Sequence, residues 1–188
     1  MRRMLIALVT LLASAGVTSN AQAVEEPAQG TFTMTTAPGI LPAWTSNEIT
    51  IVGIAPGTVT TSRFSTDATI QLPVIARSLS ANATAGGFRI VNTETNASVR
   101  CLIPSVDTKA LVVDCLTSAG YNSALFSIEK IGTRQSFVSS TTRTTIFQDM
   151  DLYLTTAGAQ ILKSELKSSV FSTSVRVATG NLMVSRER

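Results

Sequence analysis

The sequence predicts an all-β fold, a sandwich or barrel of antiparallel strands with one or two short helices. Three observations lead there. Apolar residues make up 44% of the 188 positions and charged residues only 14%, which excludes a disordered chain. Serine and threonine number 21 and 27, and hydroxyl-bearing, β-branched composition suits half-buried pleated surfaces better than helical bundles. Short β-branched runs alternate with Gly, Pro and Asn signals along the whole chain, the pattern of a sandwich or barrel. The length suits one domain with a sizeable core.

The first element is a leader rather than structure. Residues 1–23 carry Arg2 and Arg3, an apolar run from Leu5 to Val17, and the small-residue site Ala21-Gln22-Ala23. Together these form a secretory signal peptide, and the run is shorter than the roughly 20 residues a membrane span needs. The mature chain is expected to begin at Val24, to be secreted or held extracytoplasmically in the cell envelope, and not to span a membrane. Without Arg2 and Arg3 it has 13 basic and 12 acidic residues, a net charge of +1. Such a balance leaves no electrostatic footprint for nucleic acid. Arg143 and the Arg186-Glu187-Arg188 tail read as a solvated loop and a frayed end.

Residues 24–30 read as a polar linker, and 31–188 as a single β-rich domain. Strands are expected at Thr31–Thr35, Ile49–Gly53, Thr58–Ser62, Ala68–Ala76, Gly87–Asn92, Ala97–Ile103, Leu111–Leu116, Ala124–Glu129, Thr145–Thr155, Ser172–Ala178 and Leu182–Ser185. Gly132–Arg143 (GTRQSFVSSTTR) is the longest polar stretch and reads as an exposed loop, and Gly180 reads as a breaker. One helix follows a Thr cap at Thr156–Lys167, with Ala159, Ile161, Leu162 and Leu166 on one face. Too short to be stable alone, it must pack on the sheet. Phe32–Leu41 echoes Leu152–Leu162 through a shared Thr-Thr-Ala, a weak internal duplication.

Cys101 and Cys115 flank a hairpin that a turn at Thr108 would centre. That register sets Cys101 opposite Cys115, Ile103 opposite Val113 and Val99 opposite Thr117. Period two then puts Val99, Cys101, Ile103, Leu111, Val113 and Cys115 on one apolar face. Opposed cysteines in an exported chain form a disulfide staple; two buried thiols are the alternative. Two thiolates without a histidine nearby fall short of a zinc site, so no metal is expected.

The chain contains no histidine. That removes Ser-His-Asp and Cys-His catalysis and HExxH zinc sites. GxSxG, GxGxxG and P-loop motifs are absent. Lys130 is a charged strand end, and Asp149 with Asp151 is as well explained by an exposed strand face as by calcium. The expectation is no enzyme and no cofactor. Asn82 and Asn96 each head a glycosylation sequon. Trp44, Tyr121 and Tyr153 are the candidate ligand-binding residues, because aromatic groups mark binding surfaces and a tyrosine can ligate haem iron. Core filling is the competing role for Trp44 and Tyr153. The partner is an unknown envelope component or small ligand.

Several segments together resemble a known family. Thr69–Ile75 (TIQLPVI) followed by Gly86-Gly87-Phe88-Arg89-Ile90 is similar to an "LPV … GGL.F" element. Ala124–Ile128 follows, and Leu154-Thr155-Thr156-Ala157-Gly158-Ala159 resembles "LT..GA". Their order is similar to that of the HtaA-like secreted domains of actinobacteria, over roughly Thr31–Ser185. The resemblance implies an all-β domain with short helices, exported to the envelope. In the family's haem-binding members Tyr and His matter, and this chain has no His. The function expected is an envelope-associated binding or structural module. The alternative is a small-ligand carrier, with haem as the named candidate.

Overall fold

The structure is a computed structural model that describes residues 26–61, 66–78, 81–118 and 122–188. The signal segment and Tyr121 lie outside the described residues. Eleven strands and two helices run in the order β1 (Glu26–Thr36), α1 (Ile40–Thr45), β2 (Ile49–Ile54), β3 (Thr58–Thr61), β4 (Ala68–Arg77), β5 (Ala81–Thr84), β6 (Gly87–Asn92), β7 (Ser98–Asp107), β8 (Val112–Thr117), β9 (Asn122–Val138), β10 (Thr142–Leu154), α2 (Thr156–Leu166) and β11 (Arg176–Glu187). All pairings are antiparallel. The path β7-β5-β4-β1-β11-β10-β9-β8 closes through a β7–β8 ladder into an eight-stranded barrel. β2 and β6 extend it beside β7, and β3 lies on β4. Closure removes the long free edges of an open sheet.

Strict alternation builds the interior. Phe32 and Met34, Leu72 and Val74, Phe147, and Leu182 and Val184 are all buried, and their strand neighbours face out. Phe147, Leu182, Phe32 and Leu72 are cross-strand partners in one layer of the barrel. Side chains fill a barrel of this strand number, and the interior void beside Trp44 has a volume of only about 20 Å³. Among the described residues, no buried side-chain nitrogen or oxygen lacks a partner.

Several boundaries differ from expectation. The polar residues 26–30 belong to β1, where Glu26 pairs with Arg77 and Gly30 with Val74. They are polar because this end of the strand reaches the rim, not because they form a linker. Gly30 allows β1 to approach β11 closely, since a Cβ there would collide with the Met183 carbonyl. Gly180 does not break its segment. It lies within β11, where a Cβ would meet Leu152 at 3.2 Å and Phe32 at 3.3 Å, so one strand runs where two were expected. The polar stretch 132–143 is the tip of the β9–β10 hairpin. Its strands are paired but exposed, so they carry no apolar period; Ser139 Oγ accepts from the Thr142 amide at 3.0 Å in the turn. β5 was not expected.

The cysteine pair forms a disulfide, Cys101–Cys115, with Cα atoms 4.9 Å apart. The register is not the expected one. Cys101 stands opposite Thr117, and the ladder slips between Leu102 and Ser105 before Val106 meets Val113. Ile103 occupies this bulge with φ 44° and lies 52% exposed, its amide donating to the Gly86 carbonyl at 2.8 Å. Leu111, with φ 59°, is 41% exposed in the turn. Both therefore leave the apolar face, while Val99, Cys101, Val113 and Cys115 stay buried on it.

α2 is capped by Thr155 rather than Thr156: the Thr155 hydroxyl accepts from the Gly158 amide at 2.8 Å. Its buried face is Gly158, Ala159, Leu162 and Leu166, set against β9, β7 and β10. Asn92 fixes the far end by donating to the Leu166 carbonyl at 2.9 Å. No helix among the described residues is long and apolar enough to cross a membrane.

Candidate binding site

The barrel ends differ. α1 and α2 lie at the end where β1 and β10 finish. There Trp44 of α1 is buried edge-on against Phe171, with ring centroids 5.3 Å apart. Trp44 is thus core, and it borders the 20 Å³ void rather than a ligand site.

Tyr153 is not core filling. Leu152 and Leu154 point inward, so period two places Tyr153 on the outer wall, half-buried, between Ser127 of β9 and Arg176 of β11. Its surroundings are polar. Arg176 bonds Asp151 at 2.7 Å, and Ser127 bonds Glu129 at 3.1 Å. The structure therefore separates Trp44 and Tyr153 across the barrel wall. Asp151 is committed to Arg176, and no group of three metal-ligating side chains occurs among the described residues. Asn82 is buried and donates to the Val106 carbonyl at 3.3 Å, so its sequon is closed in the folded chain; Asn96 is exposed in a turn.

A concave feature lies at the opposite end, the mouth where β1 and β10 begin. A cleft of about 980 Å³ is bounded there by β1, β4, β10 and the C-terminus, a volume at the upper end of the range for small-molecule sites. Pro27, Ala28, Val74 and Ile75 supply its apolar wall. Arg143, Arg186, Glu187 and Arg188 line its rim, and the Arg188 guanidinium donates to the Ser139 carbonyl at 3.4 Å.

Register explains why arginines stand at this mouth. The inward positions of β10 run Phe147, Thr145, Arg143, and those of β11 run Leu182, Val184, Arg186. Past the last buried layer, the same alternation presents Arg143 and Arg186 at the mouth, directly opposite each other. By sequence alone both belong to solvated ends. The signal that marks them is their parity with buried residues two positions away, legible only once β10 and β11 are known to reach the rim. Arg188 is anchored over the β9–β10 turn, its amide donating to the Thr141 carbonyl at 3.0 Å.

No protein-family model matches the chain, and no curated protein does. One solved structure decides the fold comparison. The barrel is similar to HtaB, a haem-binding protein from Corynebacterium glutamicum. The TM-score is 0.54 at 12% sequence identity, over 88% of this chain and 100% of that one. At this identity the likeness to HtaB is one of fold. It agrees with the β-rich architecture with short helices that the HtaA-like sequence segments implied.

Proposed function

We propose that the chain is an exported, non-enzymatic binding module of the cell envelope that holds a small ligand at the mouth of its barrel. The mouth cleft carries this reading, since it is concave, part apolar and part cationic, as ligand sites are. The signal-peptide pattern and the disulfide support export, because disulfides persist in oxidising compartments. The reading is non-enzymatic because the cleft pairs no nucleophile with a base; its Ser185 hydroxyl bonds only the Thr144 hydroxyl, at 2.8 Å. The test is native mass spectrometry of protein taken from the extracytoplasmic fraction, beside Ile75→Arg, which would put a charge on the apolar wall of the cleft. A bound small molecule lost in Ile75→Arg is expected. A ligand retained in that variant would overturn the assignment of the mouth.

A haem carrier is the second reading, favoured by the likeness to HtaB. An axial ligand to haem iron comes from His, Tyr, Met or a Cys thiolate. The chain has no His, both cysteines are bonded to each other, and Met34 and Met150 are buried. Neither Tyr153 nor Met183 lines the mouth cleft. The cleft therefore does not fit an iron-ligating site. A haemin titration of wild type beside Tyr121→Ala and Tyr153→Ala is expected to show weak binding without a Tyr-ligated spectrum. A stoichiometric, tight complex lost in either variant would put the haem carrier first.

A further inference from the structure

We propose that the open edge of β9 receives an extended segment of a partner protein, added to the sheet as a strand, in which acidic and apolar residues alternate. Arg134, Ser136, Phe137 and Val138 form this edge and do not line the mouth cleft, so the proposal stands apart from the small-ligand reading.

Barrel closure reaches along β9 only as far as β8 does. β8 pairs with β9 from Asn122 to Ser127. β9 then continues to Val138, and among the described residues β10 is the strand paired with that extension. Every residue from Gly132 to Val138 is exposed. Backbone alternation says which groups face the open side. At the turn the Ser139 amide donates to the Thr142 carbonyl, so the next pair, Val138 with Arg143, is not hydrogen-bonded. The register runs unbroken to Thr133, so Val138, Ser136 and Arg134 each turn an N–H and a C=O away from β10. Such a row is a template for another strand, and no proline or bulge blunts it between Thr133 and Val138.

Side chains set the partner's chemistry. Phe137, 56% exposed, shares the outer face with Gln135 and Thr133. The other face carries Arg134, opposite Phe147, and Val138, opposite Arg143. An added strand alternates its side chains between these two faces, so one set meets Phe137 and the other meets the arginines. From Lys130 to Gln148 the hairpin holds Lys130, Arg134 and Arg143 and no Asp or Glu. That charge favours acidic residues in the partner strand. It disfavours a second copy of this chain, because pairing two such edges brings like charges together. A lipid surface would leave the main-chain row unpaired.

The experiment titrates labelled synthetic peptides with the full mature chain and reads fluorescence anisotropy. The probes are a peptide alternating glutamate with valine, one alternating lysine with valine, and the glutamate peptide N-methylated at every backbone amide. The glutamate peptide is expected to bind about 10-fold or more tighter than the lysine peptide at low salt, and the N-methylated form not to bind. Ser136→Pro removes an open-side N–H and no β9–β10 bond, a place where an edge strand tolerates proline. It should lower the glutamate peptide's affinity about 10-fold or more while the melting temperature holds. Arg134→Gln should narrow the preference for glutamate over lysine. Binding of the N-methylated peptide would overturn strand addition even if Ser136→Pro fails to fold. Undiminished binding by folded Ser136→Pro would overturn it too. Equal affinity for the glutamate and lysine peptides would reject the acidic partner. A dimer in sedimentation equilibrium that Ser136→Pro abolishes would replace the partner with a second copy. Cosedimentation with phosphatidylglycerol vesicles, without peptide binding, would replace it with a membrane surface. No binding of the glutamate peptide at about 1 mM would reject the edge as a docking site.

Discussion

Reducing the Cys101–Cys115 disulfide should destabilise the protein by a calculable amount and at a definable place. The bridge spans a sequence separation of 14, and closing a loop of that size is worth about 3 kcal/mol in the chain-entropy model. The reduced thiols would remain buried and still act as small apolar groups, so little packing is lost. A domain of this size shifts its melting temperature by about 2–4 °C per kcal/mol, giving a fall of about 6–12 °C. The place is the β7–β8 seam that closes the barrel. There the ladder is interrupted between Leu102 and Ser105, and the disulfide ties the two strands beside the gap. Both cysteines are at most 1% exposed, so reduction must be done in denaturant before refolding. Calorimetry of oxidised and reduced protein reads the shift, and hydrogen exchange should show β7 and β8 losing protection before β1 and β11. Coincident melting curves would refute the reasoning, as would two free thiols titrating in the denatured, unreduced protein.

Trp44→Ala should cost about 3–5 kcal/mol in urea unfolding, the usual loss for a large buried aromatic, because it removes the Phe171 contact and enlarges the adjoining void. Unchanged stability would show that the α1 end is not packed as described. Asp114→Asn should stabilise the protein at neutral pH. Burial first, and then the nearby Asp107 charge, hold the Asp114 carboxyl above its ordinary value. The folded protein therefore binds its proton more tightly than the unfolded chain does. The cost of the charged form is absent below the ordinary carboxylate pKa and fully present above the raised one. The gain from this substitution should thus appear as pH rises through the carboxylate range and vanish in acid, read from urea midpoints at several pH values. A gain of equal size at all pH values would contradict the electrostatic origin.

Most of the barrel was legible in the sequence because its strands bury one face. Alternating runs such as Ala68–Ala76 have no other stable use, and Gly87–Asn92 appears with the same limits. Legibility failed where a residue's environment depends on distant chain. Gly180 reads locally as punctuation, yet it is the gap into which Phe32, Met150 and Leu152 pack. The 132–143 segment reads as a loop because neither face of an exposed hairpin needs apolar residues. Ile103 and Leu111 have the right parity for the core, but a bulge and a positive-φ turn shift them out. Period-two reasoning assumes an unbroken ladder, and a single slip reverses every assignment beyond it.

The same dependence governs where the aromatic residues and the rim arginines stand. A sequence-level search for binding sites weights residue type, so it selects Trp44, Tyr121 and Tyr153, of which Trp44 and Tyr153 lie among the described residues. The fold buries Trp44 and sets Tyr153 on the outer wall. Arginines near a chain end and beside a polar hairpin are ordinary surface residues by type. Their distinction here is geometric, since antiparallel register sets Arg143 and Arg186 opposite each other on the inward side. Nothing in local composition encodes that meeting, because the two residues are joined only through a strand, a helix and a second strand. Their meeting is a product of register alone, and it becomes visible only once β10 and β11 are paired.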